Sequence, residues 1–314
     1  MTAFFIGDVA LDEYYTAERW PGPADKGFVT ELPSEAGGSI ANAAVVHAGF
    51  GGRPEFISLL NASPLSERLI ADLAAHQVAT RHMLRDPAIP ESRNFIFLVG
   101  GEHIVLTVEM GQQPMWLPPQ TMTALRAPGY LYTTLYRVRR LHAQIDGQVL
   151  AQAELLADLR AHGRKLVFDL DVGGATDADL PYLQGAEVVI MNQTGFRNTF
   201  GQDDIRCAQA WMAQNQIRTL IRTAAAEGAT AMQDGTLFTA AGYAVEVADV
   251  TGAGDTFGGT LVHGLEQGWT LQDTLAFAVA AASRSVTQHG PRSGRTTPQN
   301  VKNWIQKNQN RLSA

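Results

Sequence analysis

Short runs of β-branched, aromatic and other apolar residues alternate along this chain with longer stretches in which apolar positions recur with helical spacing. The runs predict strands over Ala3–Val9, Glu55–Leu60, Tyr130–Leu135, Lys165–Leu170, Glu187–Met191 and Thr219–Arg222. The longer stretches predict helices over Ser39–Phe50, Ser66–His76, Leu141–Ala161 and Asp203–Asn215. This alternation is typical of an α/β fold with a mostly parallel central sheet and helices on both faces. Such folds bind ligands beyond the carboxyl ends of their strands.

Two segments interrupt the alternation and predict a small β-structured flap. Asp12–Glu31 follows the first strand without a helical pattern, and Arg93–Val108 predicts two strands around Gly100-Gly101, a pair that suits a tight hairpin. Three consecutive helices are predicted near the carboxyl end, over Ala253–Glu266, Leu271–Thr287 and Pro298–Leu312. No repeat or obvious linker divides the chain, so we expect residues 1–314 to form a single domain.

Composition narrows the class of protein. Of the 314 residues, 45% are hydrophobic and only 18% are charged, which indicates a large buried core. The net charge of −7 gives no general attraction to nucleic acid or anionic lipid, and no apolar stretch reaches the ~18 residues of a membrane span. Cys207 is the only cysteine, which precludes a disulfide within the chain. Since the apolar run at the amino end is also too short for a signal peptide, we expect a cytoplasmic protein.

Chemistry is most clearly indicated by Asp249–Gly259, a turn of small residues that opens directly into a predicted helix. Glycines let successive backbone N–H groups converge, and the positive end of the helix dipole adds to the attraction for an anion such as a phosphoryl group. Asp255 in the first turn would repel that anion. Its carboxylate therefore either takes a proton from an acceptor hydroxyl or serves as a simple cap of the helix.

Three motifs in the same order resemble those of the ribokinase-like, PfkB-family carbohydrate kinases. Asp-x-Thr-Gly-Ala-Gly-Asp-Thr-Phe at 249–257 is similar to the family's carboxyl-terminal signature. Gly37–Asn42 resembles the amino-terminal Gly-Gly-x-x-x-Asn motif, and Gly7–Asp12 resembles the first strand with its sugar-binding aspartate. The resemblance extends from Phe4 to about Pro298. It implies a ribokinase-like three-layer sandwich with a small β lid, whose segments lie at about residues 12–32 and 93–110.

The resemblance implies a role for each matching residue in phosphoryl transfer from ATP to a hydroxyl of a sugar or related polyol. Asp255 would be the general base, beside an anion hole formed by Gly252, Ala253 and Gly254. The acceptor would contact Asp12, Gly38 and Asn42, and the nucleotide would contact Asn192, Thr223, Gly228 and Thr251. The family likeness also implies Mg²⁺, a monovalent cation as an optional further cofactor, and a homodimer formed through exposed lid strands. Because Gly195 stands where the family has a glutamate that helps to place magnesium, we expect Mg²⁺ to arrive mainly on the nucleotide.

Three positions depart from the family pattern. Where the family has Asn-x-x-Glu, this chain has Asn192-Gln193-Thr194-Gly195, so the glutamate is absent. The motif Thr-x-Gly-x-x-Gly is matched by Thr223 and Gly228 but has Ala225 at its first glycine. Val279 stands where an asparagine often lies near the adenine. We therefore expect atypical handling of the nucleotide.

Arg137-Val138-Arg139-Arg140 follows the carboxyl end of a predicted strand, on the ligand side of the sheet. The run is either a solvated face or a clamp in which at least one of Arg137, Arg139 and Arg140 contacts an anionic group of the substrate.

Two other functions remain open from the sequence. A nucleoside kinase of the same fold would need aromatic stacking near Asp12 and Asn42, for which Phe28, Phe95 and Phe97 are the candidates. A sugar-binding or regulatory protein without turnover is the other alternative, since the nucleotide motifs are incomplete.

Overall fold

The computed structural model describes residues 2–22, 24–100, 102–108 and 113–312. Three sequence predictions reach beyond these residues: Gly101 of the predicted hairpin, Pro23 within the first lid segment, and positions 109–110 at the end of the second lid segment all lie outside the described part.

The described strands fall into four sheets. In chain order they are β1 (Thr2–Ile6), β2 (Ala10–Ala17), β3 (Thr30–Glu31), β4 (Glu35–Gly37), β5 (Glu55–Ile57), β6 (Leu59–Leu60), β7 (Leu84–Arg85), β8 (Arg93–Val99) and β9 (Glu102–Thr107). They continue with β10 (Met115–Leu117), β11 (Gly129–Thr133), β12 (Leu141–Ile145), β13 (Gln148–Ala151), β14 (Arg164–Asp169), β15 (Val188–Asn192), β16 (Thr219–Thr223), β17 (Gly228–Gln233) and β18 (Thr236–Ala241).

The described helices connect these strands and cover the sheets. They are α1 (Ser39–Gly49), α2 (Pro64–Ala75), α3 (Pro119–Arg126), α4 (Leu135–Val138), α5 (Gln152–Ala161), α6 (Leu180–Leu183), α7 (Gln193–Phe200), α8 (Gln209–Gln214), α9 (Ala253–Glu266), α10 (Leu271–Ser285) and α11 (Pro298–Leu312). Short 3-10 turns precede α6 and α8 and follow β16.

The main sheet has eight strands in the order β18-β17-β16-β15-β14-β11-β1-β5. The strands from β5 to β16 are all parallel, while β17 and β18 extend the sheet antiparallel. Every residue of β11 is buried, as expected for a strand that is covered on both faces. The predicted α/β architecture is confirmed, except that Glu55–Leu60 is divided between β5 and the small β6–β7 pair.

Two hairpins were missed by the sequence prediction. The predicted helix over Leu141–Ala161 is wrong in its first half, because β12 and β13 pair antiparallel around Asp146-Gly147. In the same way, β17 and β18 are joined through Asp234-Gly235. All four turn residues have positive φ angles, as a tight type I′ turn requires. Asp-Gly between apolar runs was the signal in both cases.

The predicted flap is a separate sheet in the order β3-β2-β8-β9, with β4 paired to β2. The parallel pairing of β2 with β8 sets Asp12 beside Asn94, and the antiparallel pairing of β2 with β4 sets Asp12 beside Glu35. On the outer part of this sheet Phe97 packs against Tyr15 and Trp20. We call this sheet the lid sheet below.

Arg164, one of two arginines that are almost completely buried among the described residues, connects several elements of the core. The Arg164 guanidinium donates to the carbonyl oxygens of Leu125 at 2.8 Å, Ala124 at 2.9 Å and Thr2 at 2.8 Å, and it lies over the ring of Phe4. These contacts offset the cost of burying the charge. Arg164 thereby joins α3 to the amino ends of the central strands, far from the carboxyl ends where the sequence predicts a site.

Candidate active site

The amino end of α9 borders the candidate site, and the geometry of this helix end depends on Gly252. This residue has φ +77°, and a Cβ there would lie 2.0 Å from the carbonyl oxygen of Pro291, so only glycine fits without a shift. The Ala253 N–H donates to Val250 O and completes the turn. Asp249 holds the same loop by accepting from the N–H groups of Thr251 and Gly290, both at 2.9 Å.

Asp255 lies in the first turn of α9, and its carboxylate is held by two side chains of α1. Ser39 Oγ donates to Asp255 Oδ1 at 2.6 Å, and Asn42 Nδ2 donates to Oδ2 at 2.9 Å. Burial raises the pKa of Asp255 to about 6, although both hydrogen bonds act to lower it. The amino-terminal and carboxyl-terminal motifs of the sequence therefore meet at one carboxylate.

Asn42 is held in turn by Arg292, a residue that the sequence prediction missed. Arg292 Nε donates to Asn42 Oδ1 at 3.1 Å, and its Nη1 pairs with Asp72 of α2. Arg292 follows the last family motif in an irregular segment between α10 and α11, so no local pattern marked it.

Asp12 is buried on β2 and faces the same region. Asn94 Nδ2 of β8 donates to Asp12 Oδ1 at 2.7 Å, so the lid sheet fixes this carboxylate. Burial raises the pKa of Asp12, while Asn94 and the positive charge of Arg292 act in the opposite direction. Gly38, with φ +99°, immediately precedes α1. The structure therefore groups Asp12, Asn42 and Asp255 around the amino end of α1.

Asp169 ends β14 and Asp171 lies two residues beyond it; both were missed, although the position of Asp171 directly after the predicted strand Lys165–Leu170 was a usable signal. Tyr132 of β11 donates to Asp169 Oδ2 at 2.6 Å, and burial raises the pKa of Asp169 to about 7. The charge of Asp171 raises the pKa of both Asp169 and Asp255. Asp171 therefore lies close enough to act electrostatically on both Asp169 and Asp255.

A partly buried carboxyl group with a pKa of about 6, beside a glycine turn at the amino end of a helix, can take a proton from a hydroxyl that lies next to a bound anion. The model of the pfkB family of carbohydrate kinases matches residues 3–298. This chain belongs to that family.

Curated relatives are distant from this PfkB-family chain. The bifunctional protein HldE of Bradyrhizobium sp. (strain ORS 278) is 24% identical over 306 residues, which cover 93% of this chain and 61% of HldE. The ribokinase of Haemophilus influenzae is 26% identical over 322 residues, which cover 97% of this chain and 98% of that ribokinase. The chain thus spans 61% of the length of the HldE relative but nearly all of the ribokinase.

Solved structures share the fold. The ribokinase of Thermotoga maritima has a TM-score of 0.79 at 18% identity, with 98% of this chain and 99% of that one covered. The ribokinase of Arabidopsis thaliana, complexed with ribose and ATP, has a TM-score of 0.81 at 19% identity, with 97% and 98% covered. The ribokinase-like three-layer fold predicted from the sequence is therefore confirmed.

The structure explains the missing glutamate of the family motif. Asn192 ends β15 and caps α7 through the Gly195 N–H at 2.9 Å. A Cβ at Gly195 would lie 1.9 Å from the carbonyl oxygen of Asp171, so no side chain fits there. Asn192 Nδ2 instead donates to Asp171 Oδ1 at 2.8 Å. The backbone after β14 occupies the space of the absent side chain and sets a different carboxylate beside Asn192.

The other nucleotide-motif residues lie along the same edge. Thr223 ends β16 opposite Asn192, and Gly228 begins β17. Ala225, in place of the family glycine, has φ +45°, so it keeps a conformation that favours glycine. Val279 is buried in the core of the structure, where it packs rather than facing a ligand.

The basic run does not form the free cluster that motivated the predicted anion clamp. Arg137 is fully buried and pairs with Asp8, which follows β1, and Arg139 pairs with Asp179. The guanidinium of Arg140 lies 4.0 Å from the ring centroid of Tyr136. Arg137 and Arg139 therefore already pair with carboxylates of the protein, and a contact of this run with an anionic substrate group stays a prediction.

No helix among the described residues is long and apolar enough to cross a membrane.

Proposed function

We propose that this protein transfers the γ-phosphoryl group of ATP to a hydroxyl of a sugar or related polyol, with Asp255 as the general base. The observation that carries the proposal is the position of the Asp255 carboxylate. It lies directly after Gly252-Ala253-Gly254 at the amino end of α9 and is fixed by Ser39 and Asn42. A helix cap alone would not need two donors from a helix more than 200 residues away.

Asp255 is suited to accept a proton near neutral pH. With a pKa of about 6 it is deprotonated at pH 7, and it is a stronger base than an exposed aspartate. In the first turn of α9 the Ala253 N–H already donates to Val250 O and the Thr256 N–H to Gly252 O, so the N–H groups of Gly254 and Asp255 between them are the ones that would stabilise negative charge on the transferring group.

The acceptor would lie between Asp255 and the lid sheet. Asp12 can accept hydroxyl protons, and Asn42 can both donate and accept. Because Asn94 of β8 holds Asp12, movement of the lid sheet would act directly on the acceptor site. Closure would also exclude water, which the same base could otherwise activate.

ATP would lie along the carboxyl ends of β15 and β16, near Asn192, Thr223, Gly228 and Thr251. Its magnesium ion would neutralise phosphate charge. No group of three or more His, Cys, Asp or Glu side chains within the described ranges is arranged to hold a metal. The exposed Asp171 and the neighbouring Asn192 fit contacts to the water ligands of an ion that arrives on the nucleotide, since Mg²⁺ usually keeps several waters.

An ATP-consumption screen tests the proposal. The panel contains D-ribose, D-fructose, D-gluconate and adenosine, each at millimolar concentration with ATP and Mg²⁺, with Asp255→Asn as the matched inactive control. Consumption that depends on a sugar or sugar acid and on Asp255 supports the proposal. A response to adenosine alone would indicate the nucleoside kinase instead, and no response to a wider sugar and polyol panel would favour a binding or regulatory protein.

We further propose that the protein forms a homodimer through its lid sheets. Leu98, Val105 and Leu106 of β8 and β9 are exposed, with fractions of 38%, 48% and 49%. Exposed apolar side chains on a β hairpin favour pairing with another copy. Light scattering should give twice the 33.9 kDa chain mass, and Leu106→Asp should shift the mass toward that of the monomer. A wild-type monomer would contradict this proposal.

A further inference from the structure

Arg292 connects two helices beside the proposed base. It lies in the segment between α10 and α11, yet its Nε contacts Asn42 of α1 and its Nη1 pairs with Asp72 of α2. Only 12% of the side chain is exposed, so these contacts are shielded from solvent. The segment is itself anchored, because Asp249 accepts from the N–H of Gly290.

The Arg292 contact determines which way the Asn42 amide points. An asparagine amide has an acceptor oxygen on one side and a donor nitrogen on the other. A guanidinium can only donate, so it requires Asn42 Oδ1, and Nδ2 must then point to Asp255 Oδ2 at 2.9 Å. The opposite orientation would set the amide oxygen against the carboxylate and the amide nitrogen against the cation.

From this relay of contacts we propose that Arg292 is a positioning residue for the base. It fixes the Asn42 amide, which with Ser39 holds the Asp255 carboxylate in one orientation toward the acceptor, and Asp72 anchors Arg292 in turn. The inference rests on the role of Asp255 proposed above. It adds a residue outside the three motifs on which the family resemblance depends.

The geometry requires a guanidinium rather than any cation. Its planar fork reaches acceptors on two helices at once, whereas a lysine ammonium is a single point charge on a flexible stem. Arg292→Lys therefore keeps the positive charge near Asp12 and loses the fixed contact to Asn42. Arg295→Lys is the matched control, since Arg295 lies three positions later in the same segment and is exposed.

Steady-state kinetics give the first readout, with ATP and whichever of D-ribose, D-fructose or D-gluconate the wild type phosphorylates best. Arg292→Lys should lower kcat about tenfold or more, because a misplaced base is costly, and leave KM for ATP within about twofold. Arg295→Lys should match the wild type. In an Asn42→Ala background, Arg292→Lys should cost less than about threefold, because the contact it acts through is already gone. A merely structural role would lower Tm and reduce kcat equally in both backgrounds.

The side-chain amide of Asn42 gives a second readout that needs no acceptor. In protein labelled with ¹⁵N-asparagine, the resonance that disappears in Asn42→Ala should move in Arg292→Lys and stay in Arg295→Lys. If the Asn42 resonance does not move in Arg292→Lys and kcat equals that of the wild type, the positioning role of Arg292 is overturned. The proposed function would still be supported in that case, provided that Asp255→Asn loses turnover. If Asp255→Asn itself keeps full turnover, the base assignment and the positioning role both fail.

Discussion

The hydroxyl of Ser39 donates a 2.6 Å hydrogen bond to the carboxylate of Asp255, although the two residues are 216 positions apart in the chain. This contact brings the amino ends of α1 and α9 together. It explains why two short motifs, each a modest signal alone, act as one site. It also ties the proton affinity of the proposed base to a side chain that a mutation can remove.

The proposed base predicts the pH dependence of the reaction. As the proposed base, Asp255 would act in its deprotonated form, and burial raises its pKa to about 6. We expect kcat/KM to fall about tenfold per pH unit below that pKa and to level off above it. A pH profile on the best acceptor measures this. An acidic limb near pH 4 would mean that the carboxylate titrates like an exposed one or is not the essential group.

Removal of the Ser39 hydroxyl should move that limb to higher pH. Its hydrogen bond favours the charged carboxylate and lowers the pKa of Asp255, so Ser39→Ala should raise the pKa above the wild-type value. Activity at pH 6 should then fall more than activity at pH 8. Ser34→Ala, in the same region of the sequence, serves as the control. An unshifted limb in Ser39→Ala would argue against the contact.

Ala225 should be a site of local strain. Its φ of +45° is unfavourable for a residue with a Cβ, so Ala225→Gly should raise the free energy of unfolding by about 1 kcal/mol. Its neighbour Ala226 has no positive φ, and Ala226→Gly should lower the free energy of unfolding by ~0.5–1 kcal/mol. Urea denaturation of both variants measures the difference. Equal shifts in the same direction would be inconsistent with strain at Ala225.

Arg164 should matter for stability and not for chemistry. Arg164→Leu leaves the buried carbonyl oxygens of Ala124, Leu125 and Thr2 without this donor, which should cost about 3 kcal/mol or more. The control is Arg218→Leu, which removes a surface ion pair with Glu187 and should cost less than about 1 kcal/mol. Similar midpoints in urea for the two variants would refute the role given to Arg164.

The parallel strands could be predicted because they are buried on both faces and therefore appear as apolar runs. The helices α1 and α9 could be predicted because a family motif lies at the start of each helical pattern. The hairpin β12–β13 was missed because Leu141–Ala161 shows helical spacing, and β17–β18 was missed because no strand was predicted there, although Asp146-Gly147 and Asp234-Gly235 mark the two turns. Periodicity is a weaker guide than turn chemistry in such short strands.

In the candidate site, the sequence predicted the residues that lie within the family motifs, but it did not predict the side chains that hold them in place. Asn94 and Arg292 reach the site only through tertiary packing, from the lid sheet and from an irregular segment. Arg137 and Arg139 show the same limit. The sequence leaves a solvated face and an anion clamp both open for this run, because it does not show that the fold brings Asp8 and Asp179 from distant segments as partners.

The most direct test of the account is the turnover of Asp255→Asn. This variant keeps the size of the side chain and removes the proton acceptor, so the fold and ATP binding should persist while kcat falls by at least ~10²–10⁴-fold. Single-turnover phosphorylation of the best acceptor, with circular dichroism and an ATP-binding titration as controls, measures it. A kcat near that of the wild type would contradict the assignment of Asp255 as the base.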